Sequence, residues 1–486
     1  MDTPATPAPP ADSLRPAFDR LRTAHLAHIP GYGERIAALE RLDAAVRSYR
    51  DRIVAACSAD FGRRAPLETL GADVLVSLDE IKHARKHLRQ WMRPEKRAVN
   101  FSFRPARGEL RYAPLGVVGI VAPWNYPFQL AIVPLANAIA AGNRAMIKPS
   151  EFTPRVSALL AQMLGEVFDA DEVVVVQGDA ELAAAFTRLP FDHLLFTGST
   201  TVGRHVMAAA AANLTPVTLE LGGKCPALVA PGYPLAHAAD RIAFGKCFNG
   251  GQTCVAPDYV LVPAAQRDAF VDAYLASVRR RYPTLVGNPD YTATVNARQA
   301  ARLRAWLDDA RARGVAIRQS HDADDAGFDT APSGADGAPA IELIPPTVLL
   351  DPPEDALVMR EEIFGPLLPV RSYDSHDEAI AYVLGKDKPL AFYAFDNDAE
   401  RVERSLERVS AGMACVNDVV IQFGQNAFPI GGVGASGMGH YHGHAGFLTF
   451  SKAMPVLYQS RFNAMRLMDP PYGGLGRRLV DWLTRG

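Results

Sequence analysis

The chain has 486 residues, 48% of them hydrophobic and 21% charged, with 51 basic against 53 acidic side chains and a formal net charge of −2. A chain of that length builds two or three cores without disulfide or metal staples, and its balanced charge gives it no overall electrostatic reason to bind nucleic acid or an anionic membrane surface. The five cysteines, at 57, 225, 247, 254 and 415, are odd in number and lack metal-site spacing, so they read as thiols of a reducing, cytoplasmic compartment rather than a secreted disulfide framework.

Residues 1–13 are rich in Pro and Ala and lack a charged region leading into an apolar run, which predicts a disordered arm rather than a secretion signal. From 14 to 92 apolar residues recur at helical spacing, as in Leu39, Leu42, Val46, Tyr49 and Ile53, then Leu70, Val74, Leu78 and Ile81; this predicts a run of amphipathic helices. NFSFRPARGELRYAP then alternates as strands do. After it the short apolar runs GVVGIVAPW, AMIKPS, EVVVVQG, HLLFTG and PVTLELGG alternate with Ala/Leu-rich helical stretches, the pattern of βα units in a parallel sheet.

A second series, PALVAP, DYVLVP, PTVLL, PLLPVRSY and PLAFYAF, predicts a second sheet and hence a second lobe. Within it the low-complexity stretch 320–340 reads as an exposed loop. No apolar run is long enough to cross a bilayer, and the tail GGLGRRLVDWLTRG reads as a short amphipathic helix packed on its own protein. The fold class is therefore α/β, with ligands expected at the carboxyl ends of the parallel strands.

Several loops at those ends carry polar groups with two readings each. In APWNYPF, Asn125 is either a helix cap or an amide held for a developing oxyanion. In AMIKPSEF, Lys148 and Glu151 either suit a ribose or open a helix whose dipole favours the acid. FTGSTTVG places Gly198, Ser199 and Gly203 where a helix begins; it is either a capped start or a phosphate cradle, and it departs from GxGxxG. Glu220, in the otherwise buried strand VTLELGGK, is either one half of a salt bridge or a candidate acid or base.

FNGGQTCVAPD sets Cys254 behind two glycines that let the chain turn tightly, whereas most lone cysteines pack as inert small hydrophobes. Glu361 and Glu362 read as a solvated face on spacing alone. His440, His442 and His444 alternate as on one face of a strand, but no Cys or carboxylate pattern accompanies them, and no metal site is expected.

The order PWNYP, KPSE, FTGSTTVG, LELGGK, GGQTC, EEIFGP, FPIGGVGASGMGHYHG closely resembles the aldehyde dehydrogenase superfamily from residue 14 to about 465, and its last motif resembles the class 3 branch with its bacterial coniferyl aldehyde dehydrogenases. The resemblance implies a Rossmann-type cofactor domain (14–96 and 117–219), a catalytic α/β domain (220–425), a bridging and oligomerisation region (97–116 and 426–465) and a tail (466–486). It implies NAD, with NADP possible, and oxidation of an aromatic or medium-chain aldehyde to the acid by a homodimer.

By the same resemblance Cys254 is the nucleophile, Asn125 an oxyanion donor and Glu220 the general base. Pro123, Trp124, Lys148, Ser150, Glu151, Gly198, Ser199, Gly203, Leu221, Gly222, Glu362 and Phe364 line the cofactor. Tyr126, Phe248 and Phe428 either line an apolar tunnel or pack in the core. A CoA-acylating relative generally lacks the glutamate matching Glu220, and a non-catalytic protein on the same fold need not retain Cys254, Asn125 and Glu220 together.

Overall fold

The computed structural model describes residues 14–321, 341–462, 466 and 469–485. The expected arm at 1–13 and residues 322–340 of the expected loop lie outside them. Helices Leu14–Ala27, Tyr32–Ser48, Arg50–Asp60 and Val76–Trp91 occupy the stretch whose periodicity predicted them, and Leu39, Leu42, Val46, Ile53, Val74 and Ile81 are buried in one core. A π-helical segment, Thr69–Leu75, leads into the last of these helices and turns the Asp73 side chain inward.

Next come β1 (Glu95–Arg97) and β2 (Arg107–Pro114), which pair antiparallel. The start of NFSFRPARGELRYAP is a 3₁₀ turn at Phe101–Phe103, so alternation becomes strand only from Arg107. The first βα series forms β3 (Val117–Val121), β4 (Arg144–Lys148), β5 (Val173–Val175), β6 (His193–Thr197) and β7 (Val217–Glu220), all parallel. Strands β3, β4 and β6 carry buried residues throughout, as a sheet covered on both faces requires.

The second series forms β8 (Pro226–Val229), β9 (Tyr259–Pro263), β10 (Ala316–Gln319), β11 (Thr347–Leu350), β12 (Leu367–Tyr373), β13 (Ala391–Phe395) and β14 (Met413–Val416), in the order β10-β11-β12-β9-β8-β13-β14. Only β10 runs antiparallel in this sheet. The apolar pattern of the sequence does not mark β10 or β14. Both are edge strands of mixed burial, without the apolar run that marked the others.

Two late strands return to earlier sheets. Gly437–Met438 (β15) pairs antiparallel with β7, Gly437 opposite Glu220, and so joins the first sheet from a segment expected to serve only as a bridge. Ser451–Tyr458 (β16) pairs antiparallel with β2 along its length, from Ser451 opposite Pro114 to Tyr458 opposite Arg107.

Three further expectations change. Ser320 and His321, read as the start of an exposed loop, are buried, with the His321 ring 2.8 Å from the Tyr282 carbonyl. His440, His442 and His444 share no strand face, because a helix (Gly443–Thr449) begins among them. The tail does form a helix, Gly474–Arg485, but Leu475, Trp482 and Leu483 remain exposed rather than packed on the protein. Among the described residues no helix is long and apolar enough to cross a membrane.

Candidate active site

The helix Leu235–Cys247 ends in a turn whose residues Asn249, Gly250 and Gly251 all have left-handed backbones, at φ 53°, 60° and 75°. Glycine is required at 251: a Cβ there would lie 2.4 Å from the Gly365 carbonyl oxygen and 2.8 Å from that of Lys246. The turn is then fastened by side chains. Gln252 Nε2 donates to the carbonyls of Asn249 (2.9 Å) and Ala293 (3.0 Å), and its Oε1 accepts from Val295 N–H (2.9 Å). Glu68 accepts from Asn249 N–H (3.0 Å) and from the Thr292 hydroxyl (2.5 Å), and burial raises its carboxyl to about 7.

The Asn125–Tyr126 turn beyond β3 is fastened to the same loop. Asn249 Nδ2 donates to the Asn125 carbonyl (3.0 Å), and Asn125 Nδ2 donates to the Gln252 carbonyl (3.2 Å). The Tyr126 hydroxyl shares a 2.6 Å hydrogen bond with the Thr253 hydroxyl. Beneath them Arg64 forms a fully buried ion pair with Asp73 at 2.9 Å, its guanidinium 4.9 Å and 5.0 Å from the ring centres of Phe61 and Tyr126. Sequence patterning gave no sign of Glu68, Arg64 or Asp73 as supports, since their partners come from distant chain segments.

Cys254 follows this loop and is half-buried, unlike Cys57, Cys225 and Cys247, which are buried. Burial pushes its thiol to about 12; the charges of Glu362 and then Glu220 add to that, while its own N–H and that of Val255 oppose it. Glu220, at the end of β7, is buried with Oε1 unpartnered, and burial raises its carboxyl well above the usual range. Glu362 is raised to about 8, by burial first and Asp258 next, against the Gly223 N–H, Lys224 and Arg302. Lys224 pairs with Asp258 and donates to the carbonyls of Val358 (2.9 Å) and Glu361 (3.0 Å), fixing the segment that carries Glu362. Glu361 is exposed, so only one of the paired glutamates turns inward.

Along the ends of β3, β4, β6 and β7 lie the residues expected to hold a dinucleotide. Gly198 N–H donates to the Glu220 carbonyl (3.0 Å), and Ser199 caps the helix Thr200–Ala211 through Val202 N–H (3.4 Å). Gly203 lets that helix close on Leu221, whose Cδ2 would be 2.6 Å from an added Cβ. Lys148 is almost wholly buried and pairs at 2.8 Å with the exposed Glu151, while Ser150 Oγ accepts from Phe152 N–H (3.2 Å). Pro123 and Trp124 are half-buried, and the Trp124 ring meets Phe364 edge-on at 5.2 Å.

These residues fit a dinucleotide. A Cβ at Gly222 would lie 1.9 Å from Glu362 Oε2, so only glycine lets the Glu362 carboxyl lie over that turn, and Glu362 Oε1 has no partner in the protein, free for a ribose hydroxyl.

The three candidate tunnel residues differ in their settings. Tyr126 is buried and committed to Thr253 and Arg64, Phe248 packs against Phe244 at 5.5 Å, and Phe428 is 53% exposed. Among the described residues no group of three or more His, Cys, Asp or Glu side chains could hold a metal.

Residues 23–456 match the model of the aldehyde dehydrogenase family. The chain is 48% identical over 470 residues to the "Probable coniferyl aldehyde dehydrogenase" of Pseudomonas aeruginosa, covering 96% of each chain. It is 46% identical over 465 residues to the coniferyl aldehyde dehydrogenase of Pseudomonas sp. strain HR199, covering 95% of this chain and 94% of that one. The solved substrate-bound state of Staphylococcus aureus AldH superposes with a TM-score of 0.88 at 36% identity, over 97% of this chain and 99% of that one. The chain belongs to the aldehyde dehydrogenase family, as an NAD(P)-dependent oxidoreductase that converts an aldehyde to the carboxylic acid.

Proposed function

We propose that the substrate is an aromatic aldehyde of the cinnamaldehyde type and that Cys254, Asn125 and Glu220 carry its oxidation. The substrate class rests on the coniferyl aldehyde dehydrogenases to which the chain is 48% and 46% identical. The observation that supports the residue roles is the fastening of the Cys254 loop to the Asn125 turn, with Glu220 in electrostatic reach of the sulfur.

The Cys254 sulfur adds to the carbonyl carbon and gives a tetrahedral thiohemiacetal. Asn125 Nδ2 has two hydrogens, of which Gln252 takes one; the other, with the Cys254 N–H, serves the oxyanion. NAD(P), when bound between the residues described above, supplies the hydride acceptor. Cys254 is left as a thioester, and Glu220 takes a proton from the water that attacks it, releasing the acid and the thiol. The exposed carboxylate of Glu151 disfavours a 2′-phosphate, so NAD is the preferred cofactor of the two. Free cysteines support a cytoplasmic setting, and the exposed Met454 and Leu457 on β16 support a homodimer joined through that edge.

A second assignment of the base has its own support: Glu362 is the first charge acting on Cys254, titrates at about 8 and has an unpartnered oxygen. Rapid-mixing kinetics separates the two. With Glu220 as base, Glu220→Gln keeps a burst of NADH and slows the phase that follows. A burst retained in Glu362→Gln but absent from Glu220→Gln transfers the role to Glu362.

A further inference from the structure

His442 is 1% exposed, and neither ring nitrogen has a hydrogen-bond partner in the protein. Burial lowers the ring to about 3, so it is neutral and presents one N–H donor and one bare nitrogen acceptor. Leaving both unsatisfied in a packed interior is costly, so such a residue calls for a partner from outside the chain.

Its backbone supports the same conclusion. At φ 79° and ψ 138° it lies in a region that side-chain-bearing residues avoid. It is held there from both sides: Tyr441 exchanges two backbone hydrogen bonds with Ile430 (2.9 and 2.8 Å), and Gly443 N–H donates to the buried Glu80 at 2.7 Å. A strained residue held on both flanks, with its polar atoms unused, has the features of a binding group.

The neighbours say where it faces. The His442 ring meets Tyr441 at 4.6 Å and Phe423 at 5.2 Å, both edge-on. Tyr441 is in electrostatic reach of Glu220 and Cys254. Phe423 packs against both apolar cores, including the one that Cys254 borders, and belongs to the segment that exposes Ile421 and Phe428. His442 thus touches two aromatic rings, one in electrostatic reach of Glu220 and Cys254 and the other in a segment that exposes apolar side chains to solvent.

We infer that His442 hydrogen-bonds a ring oxygen of the substrate, selecting aromatic aldehydes that carry a hydroxyl remote from the aldehyde. A phenol hydroxyl matches either ring nitrogen, as donor to the bare one or as acceptor from the one that carries hydrogen. The inference rests on the aromatic-aldehyde reading above.

The test compares kcat/KM for 4-hydroxycinnamaldehyde, cinnamaldehyde and hexanal in the wild type, His442→Phe and His442→Gln. The wild type is expected to prefer the hydroxylated aldehyde over cinnamaldehyde by about tenfold or more, the worth of one well-placed hydrogen bond. His442→Phe removes that preference and His442→Gln restores part of it. A wild type that turns over both cinnamaldehydes with equal kcat/KM overturns the inference alone, and needs no variant to fold. Equal losses on both cinnamaldehydes in the two variants also overturn it, since they mark a structural role. Turnover of hexanal without either cinnamaldehyde overturns the aromatic-aldehyde reading itself.

Discussion

Replacing Asn125 by alanine removes both hydrogens of Nδ2 while leaving the backbone carbonyl that Asn249 grips at 3.0 Å. The hydrogen given to the Gln252 carbonyl at 3.2 Å is a structural bond, and its loss costs about 0.5–1.5 kcal/mol of stability. The other is the proposed oxyanion donor; in that role its loss raises the barrier by about 2.7–4 kcal/mol, or about 10²–10³ in kcat. Activity should therefore fall far more than stability. Three measurements on one preparation decide it: kcat with an aromatic aldehyde, the rate of Cys254 alkylation by iodoacetamide, and Tm. The reasoning holds if kcat drops by two to three decades (about 10²–10³) while alkylation and Tm change little. It is refuted if kcat falls less than about tenfold, or if alkylation falls in step with kcat, because the amide would then be placing the sulfur rather than stabilising the oxyanion.

Cys254→Ala should abolish NADH formation while retaining NAD binding by fluorescence titration; residual turnover would place the nucleophile elsewhere. Gly251→Ala puts a Cβ against two backbone oxygens at a left-handed φ, a strain of about 1–2 kcal/mol before any clash, so the loop must shift. A loss of about 10²-fold in kcat/KM is expected, and activity near wild type would show that the loop position does not matter. For Glu68 the sign follows from a folded value of about 7 against an ordinary 4.5: the stabilisation belonging to the neutral carboxyl is complete below 4.5 and is lost as pH rises through about 7. Glu68→Gln keeps an acceptor for Asn249 N–H and cannot ionise, so its Tm should gain on that of the wild type between pH 5 and 8. Parallel Tm profiles would mean that Glu68 holds no extra proton in the folded state.

Why some of this was legible in the sequence follows from which signals are local. The apolar runs of both βα series became strands because a strand buried on both faces must be apolar throughout, whatever its partners. β10 and β14 lie at sheet edges with mixed burial, and β15 is two residues whose pairing with β7 no run of side chains announces. In the site, the glycine pair before Cys254 was readable because a tight turn leaves a composition mark. That Asn249 shares the left-handed turn, and that Glu68, 181 residues away, receives its N–H, is decided only when the helical region docks on the second lobe. The HYHGH alternation misled because period two says strand only where the backbone is extended, and the positive φ of His442 and Gly443 turns the chain into a helix.

The electrostatics of the site tie the proposed nucleophile and base together more closely than their separate roles suggest. A thiol at about 12 is hardly ionised near neutral pH, so burial alone makes Cys254 a poor nucleophile. The same burial raises Glu220 and sets Glu362 at about 8, so the carboxyl groups near the sulfur favour their neutral forms. Each opposes ionisation of Cys254 by charge, and each is a proton acceptor whose affinity rises when the sulfur becomes anionic. The thiol and the two carboxyls therefore titrate as one coupled set, in which a proton leaving the sulfur is best held by a carboxyl that has itself ionised first. A crevice arranged in this way keeps its charge nearly constant while the proton moves.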